Sequence, residues 1–202
     1  VLFFAEVVMS IIIEDSSKMF WICRIVSIAS IILICALNCR SERLTIRCND
    51  VLTYEKFICM SIIIGLGIYK LGNREFENFQ DPGFLTTVNI SGISFAIYNG
   101  LWAYDGFNQL GYIVDKMKKK EQNVVKATVI GMVTVIIFYT CINFSYLAIL
   151  GVDSLGNSNN AAQSAAYIYL KKYSKIVTAM VALSALATGN SLSYSGGKFF
   201  FN

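Results

Sequence analysis

The sequence predicts an all-α fold, a polytopic bundle of membrane-crossing helices, and two observations carry that expectation. The chain of 202 residues is 55% hydrophobic and 15% charged, with a mean hydropathy of +0.57, which is too apolar for a soluble domain of this size. A helix needs roughly 20 mostly apolar residues to cross a bilayer. Stretches of that kind lie at 19–39, 51–71, 91–114, 124–150 and 176–201.

Taken in order, the opening VLFFAEVVMSIII, residues 1–13, is too short to span alone and reads as the tail of a helix begun upstream. No initiator Met, basic lead or small-residue cleavage site marks a signal peptide. The expectation is one transmembrane domain over 1–202, incomplete at both ends. The span at 19–39 is followed by a connection holding Arg40, Arg43 and Arg47, and the span at 91–114 by one holding Lys116, Lys118, Lys119, Lys120 and Lys126. With one crossing per stretch these two loops share a side, and the excess of Lys and Arg makes that side cytoplasmic. The opposite side also holds Lys18, Arg74, Lys171, Lys172 and Lys175, so the bias is partial.

On this topology 73–88 is an extracellular loop, acidic and aromatic, with the single proline Pro82. After 124–150 the chain turns small and polar, GVDSLGNSNNAAQS. It then reads AAYIYLKKYSK, a short amphipathic helix lying on the surface or dipping inward before the last span. The sequon at Asn89 falls at the membrane edge, where glycan attachment is sterically awkward, and the one at Asn143 falls inside a span and is a chance match.

A net charge of +4 spread over short loops sets topology rather than marking a nucleic-acid surface. Cys23, Cys35, Cys39, Cys48, Cys59 and Cys141 include no CxxC pair, and the chain has no histidine, so buried free thiols packing as small apolar side chains are expected, with no metal site. No catalytic motif is evident, and Asp105 is the one aspartate well inside a span, so paired-aspartate proteolysis is excluded as well. The chain reads as a non-enzyme with no cofactor and no catalytic residue.

The informative stretch is 91–114, SGISFAIYNGLWAYDGFNQLGYIV, which carries four glycines, two asparagines, a glutamine and Asp105 at its middle. A carboxylate at bilayer depth costs about 2.5 to 3.5 kcal/mol on the insertion scale, so it faces a cavity or a partner. Gly100 and Gly106 bracket LWAYD, and an unwound turn there exposes backbone groups at the midplane, where transporters with broken helices bind small charged solutes. Trp102 and Tyr104 supply flat walls and Asp105 a negative charge. The competing reading makes the two rings helix-packing aromatics and pairs Asp105 with a neighbouring lysine. Lys56 either sits buried with polar partners or snorkels to the membrane edge. Thr188, Asn190, Ser191, Ser193 and Ser195 fit a tight helix interface or a cavity wall equally.

The run FAIYNGLWAYDGFNQLGYIVDKMKKKEQNVVK, with its GLWAYDG core and following NQL, resembles the sixth helix and following loop of the L-type amino acid transporters, light subunits of heteromeric amino acid transporters in the amino acid, polyamine and organocation superfamily. LNCRSERLTIRCNDVLTYEK is similar to the connection of their fourth and fifth helices, and ALATGNSLSYSGGKFFF to their eighth. The resemblance therefore covers the end of the third helix through the eighth. It implies a partial leucine-transporter-type fold, broken around residues 100–106, that exchanges neutral and cationic amino acids across the plasma membrane by alternating access.

By the same resemblance, Trp102 is the aromatic gate, Ala103, Tyr104 and Gly106 supply unwound backbone, Asp105 faces the substrate side chain, and Asn108 stands behind. Lys56 matches a fifth-helix lysine at a position where sodium-coupled relatives hold sodium, with Asn190 and Ser191 as its neighbours. The family's partner is a single-span glycoprotein heavy chain, held by a disulfide from the loop before the fourth helix. Here that loop, 14–18, has no cysteine. Asp115 and Lys116 replace the usual glutamates, and Phe107 replaces a tryptophan. The first helix, which supplies the other half of the substrate site, has no counterpart in the chain. A truncated, transport-inactive membrane protein that at most associates with full-length relatives is therefore the alternative.

Overall fold

The computed structural model describes residues 1–12, 16–79, 89–101, 104 and 119–201. Among these the chain forms seven α-helices: α1 Leu2–Ile12, α2 Ser16–Arg40, α3 Glu42–Gly72, α4 Ile90–Leu101, α5 Lys120–Gly156, α6 Ala161–Leu170 and α7 Ser174–Phe201. No strand occurs among the described residues. Four stretches are long and apolar enough to cross a membrane: Met19–Arg40, Glu42–Gly72, Lys120–Gly156 and Ala161–Gly197. The last joins α6 to α7 through the 3-10 turn Lys171–Tyr173.

The helices show many apolar side chains on their outer sides, as a bilayer rather than water would select. On α2, Ile25, Ile28 and Ile32 are exposed while Cys23 and Ile34 are buried. Apolar attraction cannot tell lipid from helix, so small residues and polar contacts set the packing.

The connection expected around Arg40, Arg43 and Arg47 is instead almost entirely helical. Ser41 alone separates α2 from α3, and its hydroxyl caps α3 by accepting the Leu44 N–H at 3.4 Å. A serine N-cap satisfies one of the orphan amides at the new helix start, so the charged run continues as the first turns of α3, well before residue 51.

The core sits where α3, α5, α6 and α7 meet, around Cys59, Ile63, Ile142, Ala162, Ala166 and Val177. α3 and α5 run parallel, since Phe57 meets Phe138 edge-on at 5.0 Å and Gly67 meets Ser145 further along. This puts the arginines of the α2–α3 turn at the same end as Lys119 and Lys120. At the Gly67 crossing a Cβ would lie 2.8 Å from the Ser145 backbone and clash with its side chain, so the two helices touch at a distance that only glycine permits. The expected short helix before the last span is α6. Its alanines Ala162, Ala165 and Ala166 are buried, and their small side chains let it lie close on the core.

The expected span 124–150 ends where α5 kinks. Gly151 is non-helical, with φ 75° and ψ 171°. Three residues before the break, the Ala148 carbonyl accepts from the Asn78 side-chain amide at 2.7 Å. Asn78 belongs to the 3-10 turn Glu77–Phe79, so the start of the 73–88 loop seals the kink. A buried backbone acceptor in a bilayer needs such a partner.

α4 stands apart. All of its residues are exposed, and its start is capped by Asn89, whose side chain accepts the Ser91 N–H at 3.0 Å. The rest of the expected span 91–114 lies outside the described residues except for Tyr104. The six cysteines are free, but only Cys23 and Cys59 are buried and Cys48 is half-buried. Cys35, Cys39 and Cys141 are exposed, which corrects the expectation of buried thiols: they lie on outward helix faces, where a thiol is apolar enough to stay.

Three glycine substitutions test this packing by thermal unfolding in detergent. Gly67→Leu is expected to force α3 from α5 and lose about 1–3 kcal/mol, whereas Gly65→Ala, with nothing within 4 Å of its Cβ, should leave the midpoint unchanged or raised. Gly151→Ala should lose about 1–3 kcal/mol because an L side chain is strained in that backbone conformation.

Candidate functional site

Polar side chains of α3 recur at seven-residue spacing, Glu42, Asn49 and Lys56, which places them on one stripe of the helix. α7 runs antiparallel to that stripe and meets each member. The Lys56 ammonium donates to Thr188 Oγ1 at 3.0 Å. The Asn190 side-chain amide donates to Asn49 Oδ1 at 2.8 Å, and the Tyr194 hydroxyl donates to Glu42 Oε1 at 2.7 Å. From α2, Asn38 Nδ2 donates to Asn190 Oδ1 at 3.2 Å. Three helices are therefore tied along one seam, and Asn190, at its centre, is buried.

Each contact is made possible by its helix position. Gly189 lets α7 approach closely, since a Cβ there would lie 3.2 Å from Val1 Cγ2 and 3.6 Å from Ile34 Cδ1. Thr188 both accepts from Lys56 and donates to the Ser184 carbonyl at 3.1 Å, so its hydroxyl proton is occupied and its lone pairs face the ammonium. Lys56 is half-buried and held toward α7, not toward the membrane edge. A cavity of about 340 Å³ opens beside the seam, lined by Cys35, Asn38, Cys39, Glu42, Ser193 and Tyr194 among others.

The structure thus brings together part of what the sequence pointed to. Lys56 and Asn190 share the seam, but the hydrogen bond from Lys56 goes to Thr188, while Asn190 bonds Asn49 and Asn38. Ser191 is half-buried next to Asn190. Trp102, Ala103, Asp105, Gly106 and Asn108 lie outside the described residues. Tyr104 is described, its ring centroid 6.4 Å from that of Tyr139 on α5. The adjacent residue Phe138 packs on Phe57, next to Lys56 on α3.

Asn38, Asn49 and Glu42 were not singled out by sequence reasoning. The seven-residue spacing on α3 was visible, but its meaning depends on which helix lies opposite. Among the described residues no three His, Cys, Asp or Glu side chains converge as a metal site would require.

A family model described as amino acid permease matches residues 1–202. The chain belongs to the amino acid permease family. Within this family it is similar to the b(0,+)-type amino acid transporter 1 of Mus musculus, with 32% identity over 178 residues, covering 88% of this chain and 37% of that protein. It is 26% identical over 182 residues to the Asc-type amino acid transporter 1 of Homo sapiens, covering 89% of this chain and 35% of the relative. It is 27% identical over 187 residues to the large neutral amino acids transporter small subunit 2 of Mus musculus, covering 88% and 34%. The permease chain thus spans little more than a third of the length of these relatives. Family membership and the apolar helices make it a multi-pass membrane protein.

Disrupting the seam has measurable consequences. Asn190→Leu strands the Asn49 acceptor and the Asn38 donor and should lose about 1–3 kcal/mol in unfolding stability. A double-mutant cycle of Lys56→Met with Thr188→Val should give a coupling of about 0.6 kcal/mol and not above about 1.7.

Proposed function

We propose that this permease chain contributes to transmembrane transport of amino acids, neutral and cationic, by alternating-access exchange at the plasma membrane. The observation that carries this reading is the amino acid permease match over residues 1–202, joined by relatives whose names are all those of amino acid transporters. In this reading the substrate sits against the glycine-bracketed turn, under Trp102. The backbone of Ala103, Tyr104 and Gly106 meets its charged main-chain groups, and Asp105, backed by Asn108, meets its side chain.

Asp105 gives the reading its substrate preference, since a carboxylate in a site of low dielectric attracts a guanidinium or ammonium side chain. Lys56 supplies a fixed positive charge where a coupling cation would otherwise sit, which suits exchange over cation-driven uptake. Asn190 holds α7 against α3 beside it, with Ser191 next in the chain. The Arg40, Arg43 and Arg47 end faces the cytoplasm. A single-span glycoprotein heavy chain is the proposed partner, associating without a disulfide from loop 14–18.

A second reading keeps the membrane fold without transport: a protein that associates with longer relatives through the exposed α4. The observation behind it is that every residue of α4 is exposed.

The test is uptake of labelled arginine and leucine by cells expressing the natural full coding sequence. Saturable uptake of both, accelerated by amino acid on the opposite side, is the expected result. Asp105→Asn should then lower arginine uptake relative to leucine by about tenfold, equivalent to about 1.4 kcal/mol. Uptake of neither solute, with recovery of the protein in complexes with a full-length relative, would establish the second reading instead.

A further inference from the structure

One acidic side chain in the bundle has no role in the seam. Glu55 lies one residue before Lys56 on α3, and both of its carboxylate oxygens are shielded from solvent with no hydrogen-bond partner. Its neighbour Lys56 donates no hydrogen bond to it, because that ammonium is directed to Thr188 on α7. One turn further along α3, at i+4, comes Cys59, a member of the core.

The titratable groups around this carboxyl are few. On α3 they are Lys56, whose charge is felt at Glu55, and Cys59, whose thiol feels Glu55 in turn. From α5 the Tyr146 phenol shares the Cys59 neighbourhood, with Tyr139 beyond it. The α7 side presents the neutral Thr188 hydroxyl, and α6 presents Ala162 and Ala166 to the same core. No donor or full positive charge other than Lys56 is therefore supplied by these described neighbours.

An ionised carboxylate taken out of water without donors is strongly disfavoured, and such a group takes up a proton instead. Ionisable residues within membrane-spanning helices are rare and costly, and proton relays are among the roles they serve. The stem of Glu55 is not itself fully buried, so its carboxyl could have turned outward, yet it is tucked inward.

We propose that Glu55 is a proton-binding site of this permease: its carboxyl group is protonated in the conformation described here. The step is reversible. An O–H bond breaks, the proton passes to water, and the carboxylate left behind is balanced by the Lys56 ammonium when that side chain leaves Thr188. Movement of α7 away from α3 would make that exchange of partners available, so proton release is tied to opening of the seam. The proton site stands on the helix bundle alone and does not depend on which solute is carried.

Infrared difference spectroscopy of the protein in lipid nanodiscs tests it without any transport assay. At neutral pH, where solvent-facing carboxyls are ionised, the wild type is expected to show the carbonyl band of a protonated carboxylic acid. That band should vanish in Glu55→Gln, which has the shape of the protonated side chain and should fold. It should persist in Lys56→Met, because a neutral carboxyl does not need the ammonium. Identical wild-type and Glu55→Gln spectra in this region would overturn the proposal. So would a band absent from the wild type that appears only in Lys56→Met, since Glu55 would then be an ionised partner of Lys56. Carbon-13 labelling of glutamate, with a titration of the wild type, gives the same answer without a variant: a labelled band that ionises along with the solvent-facing carboxyls would also overturn it.

Discussion

In a bundle whose helices are apolar on nearly every side, greasiness cannot decide which face meets which neighbour, and Asn190 supplies that decision. Its amide donates to Asn49 on α3 and its carbonyl accepts from Asn38 on α2, so one buried side chain fixes the rotation and height of three helices at once. Shifting α7 by a turn would leave three amides unpaired where water is scarce, each costing about 1–3 kcal/mol. The Lys56–Thr188 and Tyr194–Glu42 contacts on either side follow from that register. Glu55, one residue before Lys56 on the same helix, has both carboxylate oxygens sheltered and without a donor.

Close approach between the helices then depends on small residues. Gly67 against Ser145, Gly189 against Val1 and Ile34, and the alanines of α6 remove side-chain bulk where backbones meet. Dispersion contacts and hydrogen bonds can act only at such distances, since lipid offers the same apolar environment as leucine. The kink at Gly151 shows the complementary rule. Breaking a helix in a membrane frees a carbonyl, and the fold brings Asn78 from another segment to accommodate it. The Ala148 carbonyl is thereby given a partner at the bend, as a backbone group in a bilayer requires.

Helix existence and type were legible because membrane-crossing segments are long and continuous. Residues 19–39, 51–71, 124–150 and 176–201 all fall inside observed helices, and the end of the third of these falls next to the glycine that bends the chain. The α2–α3 connection was misread because charge suggested a loop, whereas helix ends project beyond the apolar layer and keep their hydrogen bonding when capped by Ser41. Cys35, Cys39 and Cys141 were expected to be buried because their segments are apolar, but apolarity in lipid carries no information about which side faces inward.

The sequence by itself determined the all-α membrane class and the helical segments, because these rest on hydropathy over long windows, and it marked Lys56 and Asn190 as polar residues within spans because such residue types are costly in lipid; the family followed from residue identity along the whole chain. Only the tertiary structure decided that Lys56 bonds Thr188, that Asn38 and Asn49 complete the Asn190 relay, and that Glu55 has no donor. Those facts depend on which helix faces which and at what height. Hydrogen bonds act over about 3 Å, so a partner more than a hundred residues away is specified by packing and not by local spacing.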